Sequence, residues 1–249
     1  MISREELLRI AKLYGMRSWQ QEKHYIQSLI LVSIEDIPIV FKGGTYLWFF
    51  YGLPRFSEDL DFSAFGEINK NLPGEVSRSL ELFGVENSLK LITNDDKTLS
   101  FRLSAKGPLN TSDIDLCHVY VEISKREEII MKQTSIHTKT EPYGLPVKIL
   151  RGMNLYEVAA EKVRTLLIRD KVRDLYDLWF LAKKGYVPQK ALINEKLRFY
   201  NLEFSFSVFA EKLQRKEGFW LREVKPILFD VPPDFKSVFE YLTEIFKGI

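Results

Sequence analysis

The sequence contains a single cysteine, Cys117, which excludes an internal disulfide and any zinc site built from several thiolates. Histidine is almost as scarce. The three present, at positions 24, 118 and 137, lack the spacing of an imidazole metal site, so any metal bound here is one that oxygen holds. An excess of one charge is missing too: the formal net charge is +2, which leaves nucleic acid open as a partner, since a basic face can form locally on a nearly neutral chain. No apolar run is long enough to span a bilayer; the one around Ile30 is broken by Ser33 and Glu35. The opening MISREELLRIAKLYG carries charge where a signal peptide would be apolar. These absences lead to the expectation of a cytoplasmic protein without a membrane partner.

What is present is a globular composition, 45% hydrophobic and 28% charged over 249 residues, enough for one large domain or two smaller ones. REELLRIAKLYG and SWQQEKHYIQSLILVSIEDI show helical spacing, with Ser3 and Ser18 placed as N-caps. IPIVFKGG is a short β-branched run ended by glycines, which suits a buried strand, and TYLWFFYGL suits a short helix stopped at Gly52 and Pro54. Between about Gly84 and Ile149 the pattern changes to short alternating runs, NSLKLIT, TLSFRLSAKG, DLCHVYVEIS, EEIIMKQTSI and LPVKIL, parted by turn residues. From Asn154, a natural N-cap, helical spacing returns and continues to the end. The expected fold is therefore α/β (α+β): a mixed, mostly antiparallel sheet flanked by helices over residues 1–151, then an α-helical C-terminal domain over 152–249.

Chemistry concentrates in Phe41 to Ser63, FKGGTYLWFFYGLPRFSEDLDFS. Residues i and i+2 of a strand share a face, so Asp59 and Asp61 look the same way and repel one another. A divalent cation removes that penalty, and hard oxygen donors suit magnesium shared with substrate phosphates. The Gly43-Gly44 pair at a helix start supplies the complementary half, amide N–H groups that attract an anion and no side chain to keep a phosphate away. A lone DxD is commonly a solvated loop and a lone GG a turn; their conjunction in one strand, turn, helix and strand is more specific. The aromatics Trp48 to Tyr51 read as core, and Cys117 and the histidines carry no evident role.

These residues resemble the signature of the polymerase-beta-like nucleotidyltransferase superfamily, a glycine pair on a helix followed by alternating acids. More narrowly they resemble the AbiEii/AbiGii-type toxin family, through Lys42, Gly43, Gly44, Thr45, Leu47, Arg55, Ser57, Asp59, Leu60, Asp61 and Phe62, and through a second block, EVAAEKVRTLLIRDKVRDLYDLWFL, from Glu157 to Leu181. The first forty residues and those beyond Tyr200 are less diagnostic. The resemblance implies Asp59 and Asp61 as ligands of Mg2+ or Mn2+, and Lys42, Gly43, Gly44 and Thr45 as nucleotide contacts. It also calls for a third carboxylate on a neighbouring strand, for which Glu122 is chosen as catalytic base and metal ligand, because a charge in VYVEIS is otherwise anomalous. Asp113 and Asp115 form a rival pair, read as a turn.

Lys162 in the second block either snorkels from a half-exposed face or, as the resemblance implies, meets the nucleotide phosphates. Asp174 and Asp177 lie one helical turn apart; one orients Lys162 or the nucleotide while the other pairs with Arg173. Arg55 and Ser57 either contact nucleotide or cap the acidic strand. The implied activity is transfer of an NMP from an NTP to an acceptor hydroxyl, with RNA or tRNA as acceptor and a cognate antitoxin as partner. The alternatives are a nucleotide-binding or antitoxin-binding protein without catalysis and an antibiotic-type nucleotidyltransferase.

Overall fold

In the computed structural model, which describes residues 1–249, Ser3 accepts a hydrogen bond from the Glu6 amide (3.1 Å) and caps α1, Arg4–Leu13. Ser18 is not a cap. It is the first residue of α2, Ser18–Val32, whose cap is Arg17, with the Arg17 amide donating to Gln20 Oε1 at 3.1 Å. Strand β1, Ile39–Lys42, is buried at all four positions. Helix α3, Gly43–Tyr51, begins on the glycine pair itself, because Gly43 adopts φ +78° and turns the extended chain into the helix within one residue. β2, Leu60–Ala64, follows, then α4, Leu72–Leu82, which buries Leu72, Val76 and Leu80 at helical spacing.

The remaining strands are β3 (Asn87–Asn94), β4 (Thr98–Ala105), β5 (Cys117–Ser124), β6 (Thr134–His137) and β7 (Ile149–Gly152). The seven strands form one sheet in the order β3-β4-β5-β2-β1-β7-β6. β2–β5 and β1–β7 pair parallel and the other neighbours antiparallel, so the sheet is mixed and mostly antiparallel, as the alternation implies. The run EEIIMKQTSI is only partly a strand. Its first half leaves the sheet because the Ile130 and Met131 amides donate to the buried Glu157 carboxylate, at 2.9 and 3.0 Å, in place of a ladder.

The helical region comprises α5 (Leu155–Ile168), α6 (Val172–Lys183), α7 (Lys190–Arg198), α8 (Phe206–Gln214), α9 (Trp220–Val224) and α10 (Phe235–Phe246). Asn154 caps α5 by accepting from the Tyr156 amide at 3.0 Å, and Asp234 caps α10. Two compact units result. One is Met1–Phe50 with Glu58–Arg126 and Thr134–Gly152, and contains the whole sheet. The other is Met153–Ile249 joined by two earlier segments, Tyr51–Ser57 and Glu127–Gln133. The second unit has its own core, in which Leu175, Leu178, Leu181, Leu242 and Phe246 are fully buried. No helix is long and apolar enough to cross a membrane.

Candidate active site

Strand β2 lies between β1 and β5, and its register puts Asp61 opposite Lys42 on one side and beside Glu122 on the other. Side chains at one register level share a face, so Lys42, Asp61 and Glu122 form a row across the sheet. Lys42, at the register position opposite Asp61, is buried, with 7% of its surface exposed. Gly43 sits directly above this row. A Cβ placed on it would lie 2.4 Å from Asp61 Oδ2, so the glycine is required both by its positive φ and by the approach of that carboxylate.

Thr45, the third residue of α3, is fully buried and its hydroxyl donates to the Asp59 carbonyl. That side chain's one hydrogen therefore ties the head of the helix to the start of the acidic strand. A phosphate contact from Thr45 falls to its backbone N–H, which like those of Gly43 and Gly44 has no carbonyl four residues back within the helix. Asp59 precedes β2 by one residue and is half-buried, as is Asp61.

Glu122 is not the anomaly it seemed in the sequence. β5 alternates buried and open positions, and Glu122 takes an open one, with its side chain 48% exposed and paired to Arg126 at 2.9 Å. Asp115 closes a turn: it accepts from the Thr111 hydroxyl and from the Thr111 and Ser112 amides, which hold its carboxyl down at about 2. As a donor, Asp61 offers a hard divalent cation a carboxylate beside anion-attracting amides, and Asp59 would be the second oxygen ligand, two residues before it and outside the strand. No group of three or more Asp, Glu, His or Cys side chains is gathered closely enough to enclose an ion, so Glu122 does not complete a ready-made triad.

The other residues singled out in the sequence meet in the second unit. Lys162 is 6% exposed, which rules out a half-exposed face, and its Nζ lies 2.9 Å from Asp174 and 2.6 Å from Asp177. Both aspartates are fully buried. Arg55 grips Asp177 with Nε and Nη2 at 2.6 and 2.7 Å, and Arg169 pairs with Asp174 at 2.8 Å. Arg173 is exposed, so the pairing expected of it belongs to Arg55 and Arg169 instead. Burial is the strongest influence on Lys162 and pushes its ammonium down, but Asp174 and Asp177 outweigh it and leave the value raised. For Asp177, burial raises the carboxyl while Arg55 and Lys162 more than reverse it; Asp174 is likewise lowered, chiefly by Lys162 and Arg169 against burial.

A second buried network was not legible in the sequence. Lys196, 1% exposed, lies 2.5 Å from Glu157 and donates to the Glu128 carbonyl at 2.7 Å, while Arg164 reaches Glu127 at 3.0 Å. The only signal was the presence of Glu157 and Glu161 within the apolar helix α5.

An acidic strand facing a glycine-headed helix on a mixed sheet is the arrangement of a nucleotidyltransferase, and solved structures with this fold bear that description. MenT4, a nucleotidyltransferase toxin from Mycobacterium tuberculosis, superposes with a TM-score of 0.67 at 19% identity, covering 99% of this chain and 89% of that one. A candidate nucleotidyltransferase from H. pylori gives 0.63 at 23%, covering 91% and 92%, and JHP933 from Helicobacter pylori gives 0.57 at 21%, covering 92% and 90%. No curated protein matches the chain. The model of the AbiEii nucleotidyl transferase toxins of type IV toxin–antitoxin systems matches residues 26–241, and the protein belongs to that family. Membership makes it a nucleotidyltransferase toxin, with nucleotide as substrate and a cognate antitoxin as partner.

Proposed function

We propose that the protein transfers an NMP from an NTP to a hydroxyl of RNA, tRNA included, with magnesium or manganese bound at Asp59 and Asp61. The observation that carries this reading is the close approach of Gly43 to Asp61, which puts the start of a helix beside a carboxylate of the acidic pair. When bound, the cation neutralises the carboxylates and the triphosphate oxygens they face. The Gly43, Gly44 and Thr45 amides orient the phosphates, and Lys42 offsets the charge of Asp61 from its register position. Glu122, open to solvent on the same row, accepts the proton of the attacking hydroxyl. The hydroxyl oxygen bonds to the α-phosphorus as the bond to the β-phosphate breaks and pyrophosphate leaves.

Arg55, Lys162, Asp174 and Asp177 enter this reading as a cluster with balanced partners inside the second unit, in which the aspartates hold Lys162 and Arg55 holds Asp177 in place. Ser57, half-buried two residues before Asp59, belongs to the nucleotide contacts. The test is incubation of the purified protein with each labelled NTP, magnesium and total RNA. Label passing to RNA from one or more NTPs, and lost in both Asp59→Asn and Asp61→Asn, is the expected result. Transfer at the native rate in either variant would overturn the metal assignment.

A further inference from the structure

Beyond the row of Lys42, Asp61 and Glu122 the sheet continues from β5 through β4 to its edge strand β3. Val119, Val121, Phe101 and Leu103 point to one face of these strands and are buried in the core. The other face, shared with Asp61 and Glu122, carries the alternate residues, and the register aligns Tyr120 of β5, Arg102 of β4 and Lys90 of β3 as one row across it. We propose that this face holds the acceptor as a single strand of RNA, with a base stacked on Tyr120 and backbone phosphates held by Arg102 and Lys90.

The first observation behind this is charge. Lys90 and Arg102 sit directly opposite one another across the strands, an arrangement that costs stability between like charges. Neither has a carboxylate partner, and Glu122, the acid two residues along β5 on the same face, is taken by Arg126 at 2.9 Å. The Arg102 guanidinium makes no hydrogen bond within the protein, and its Nε is a buried donor without an acceptor. A half-buried guanidinium with no acceptor, next to a second unpaired cation, calls for an anion, and its planar fork matches a phosphate. The second observation is a ring at the surface. Tyr120 is 44% exposed, packs on no other aromatic ring and has the Arg102 guanidinium 6.0 Å from its centroid. Cations that follow a backbone and a ring that takes a base are the two halves of single-strand recognition. A duplex keeps its bases stacked on each other, and an acidic peptide would satisfy the cations but leave the ring unused. Position is the third. Tyr120 lies one strand across and two residues along from Asp61, about 8 Å by strand geometry, so it meets the nucleotide next to a hydroxyl held at Asp61 and Glu122. Only this placement of the strand's end rests on the transferase reading.

Binding is measured by fluorescence anisotropy of a labelled oligoribonucleotide of one repeated base, which cannot pair, titrated with the full chain. NTP and metal are left out, so the result stands or falls independently of transfer. Saturable binding that weakens with salt is expected, with duplex RNA of the same length bound more weakly. Tyr120→Leu should weaken binding of the single strand about 5-fold to 100-fold, whereas Tyr120→Phe, which keeps the ring, should bind as the native protein does. Arg102→Gln and Lys90→Gln should each flatten the slope of log affinity against log salt by about 0.7, the share of one phosphate of a single strand. Lys90 is exposed, so its variant carries the charge test if Arg102→Gln melts early. Equal affinity for duplex and single strand, native affinity in the folded variants, or no saturable binding to either RNA would overturn the proposal, the last of these leaving the face to a protein partner.

Discussion

Replacing Gly43 by alanine does two separable things. Its φ of +78° is left-handed, a conformation that costs a residue with a Cβ about 1–2 kcal/mol. For a chain of this size that lowers Tm by about 2–8 °C. The new Cβ would also lie 2.4 Å from Asp61 Oδ2, while ordinary contact starts near 3.4 Å, so the carboxylate must withdraw by about 1 Å. A misplacement of that size in a catalytic group costs on the order of 100-fold in rate. Gly185→Ala separates the two effects, because Gly185 has φ +85° and nothing within 4 Å of its added Cβ. Thermal melting and the labelled-NTP transfer assay are run on both variants. Both should lose comparable Tm, and only Gly43→Ala should lose transfer. Equal transfer in the two variants would show that the position of Asp61 is immaterial to the chemistry, and the site assignment would go with it.

The other expectations follow from the buried and exposed charges. Lys162→Met leaves Asp174 and Asp177 short of a cation in a buried setting, so it should destabilise by about 3–5 kcal/mol, read from denaturant unfolding; a loss below about 0.5 kcal/mol would contradict the buried network. Glu122→Gln should lower transfer by about 100-fold or more if Glu122 is the base, whereas Asp115→Asn should affect only the turn it closes; the reverse ranking would move the third carboxylate to Asp115. His24 carries a pH signature: its folded value of about 4 lies below the ordinary 6.5, so the unfolded chain takes up the proton first and stability is full above pH 6.5 and falls as pH drops toward 4. The loss has an upper bound of about 3 kcal/mol, and urea melts at pH 7.5 and 4.5 should show a smaller loss in His24→Gln than in the native protein. Identical pH dependence in the two would mean that His24 is not shielded.

What the sequence by itself determined was local. The strand, glycine pair, helix and acidic strand follow from periodicity and from the places where only glycine fits, and Asn154 and Ser3 mark helix starts through hydrogen bonds that span two or three residues. The family, too, was written in short motifs. Tertiary structure decided everything that depends on partners distant in the chain. Asp61 and Glu122 come side by side only through the parallel pairing of β2 with β5, and the open face of β5 turned an apparent anomaly into an ordinary outward position. Lys162, a plausible surface lysine by its helical setting, is buried because Arg55, over a hundred residues earlier, and two aspartates complete its charge balance. The segment Glu127–Gln133 reads as strand, yet a carboxylate on α5 takes its amides. A one-dimensional pattern records which face a residue prefers; it does not record which distant charge or amide satisfies it, and in a buried site that partner sets the cost of being there.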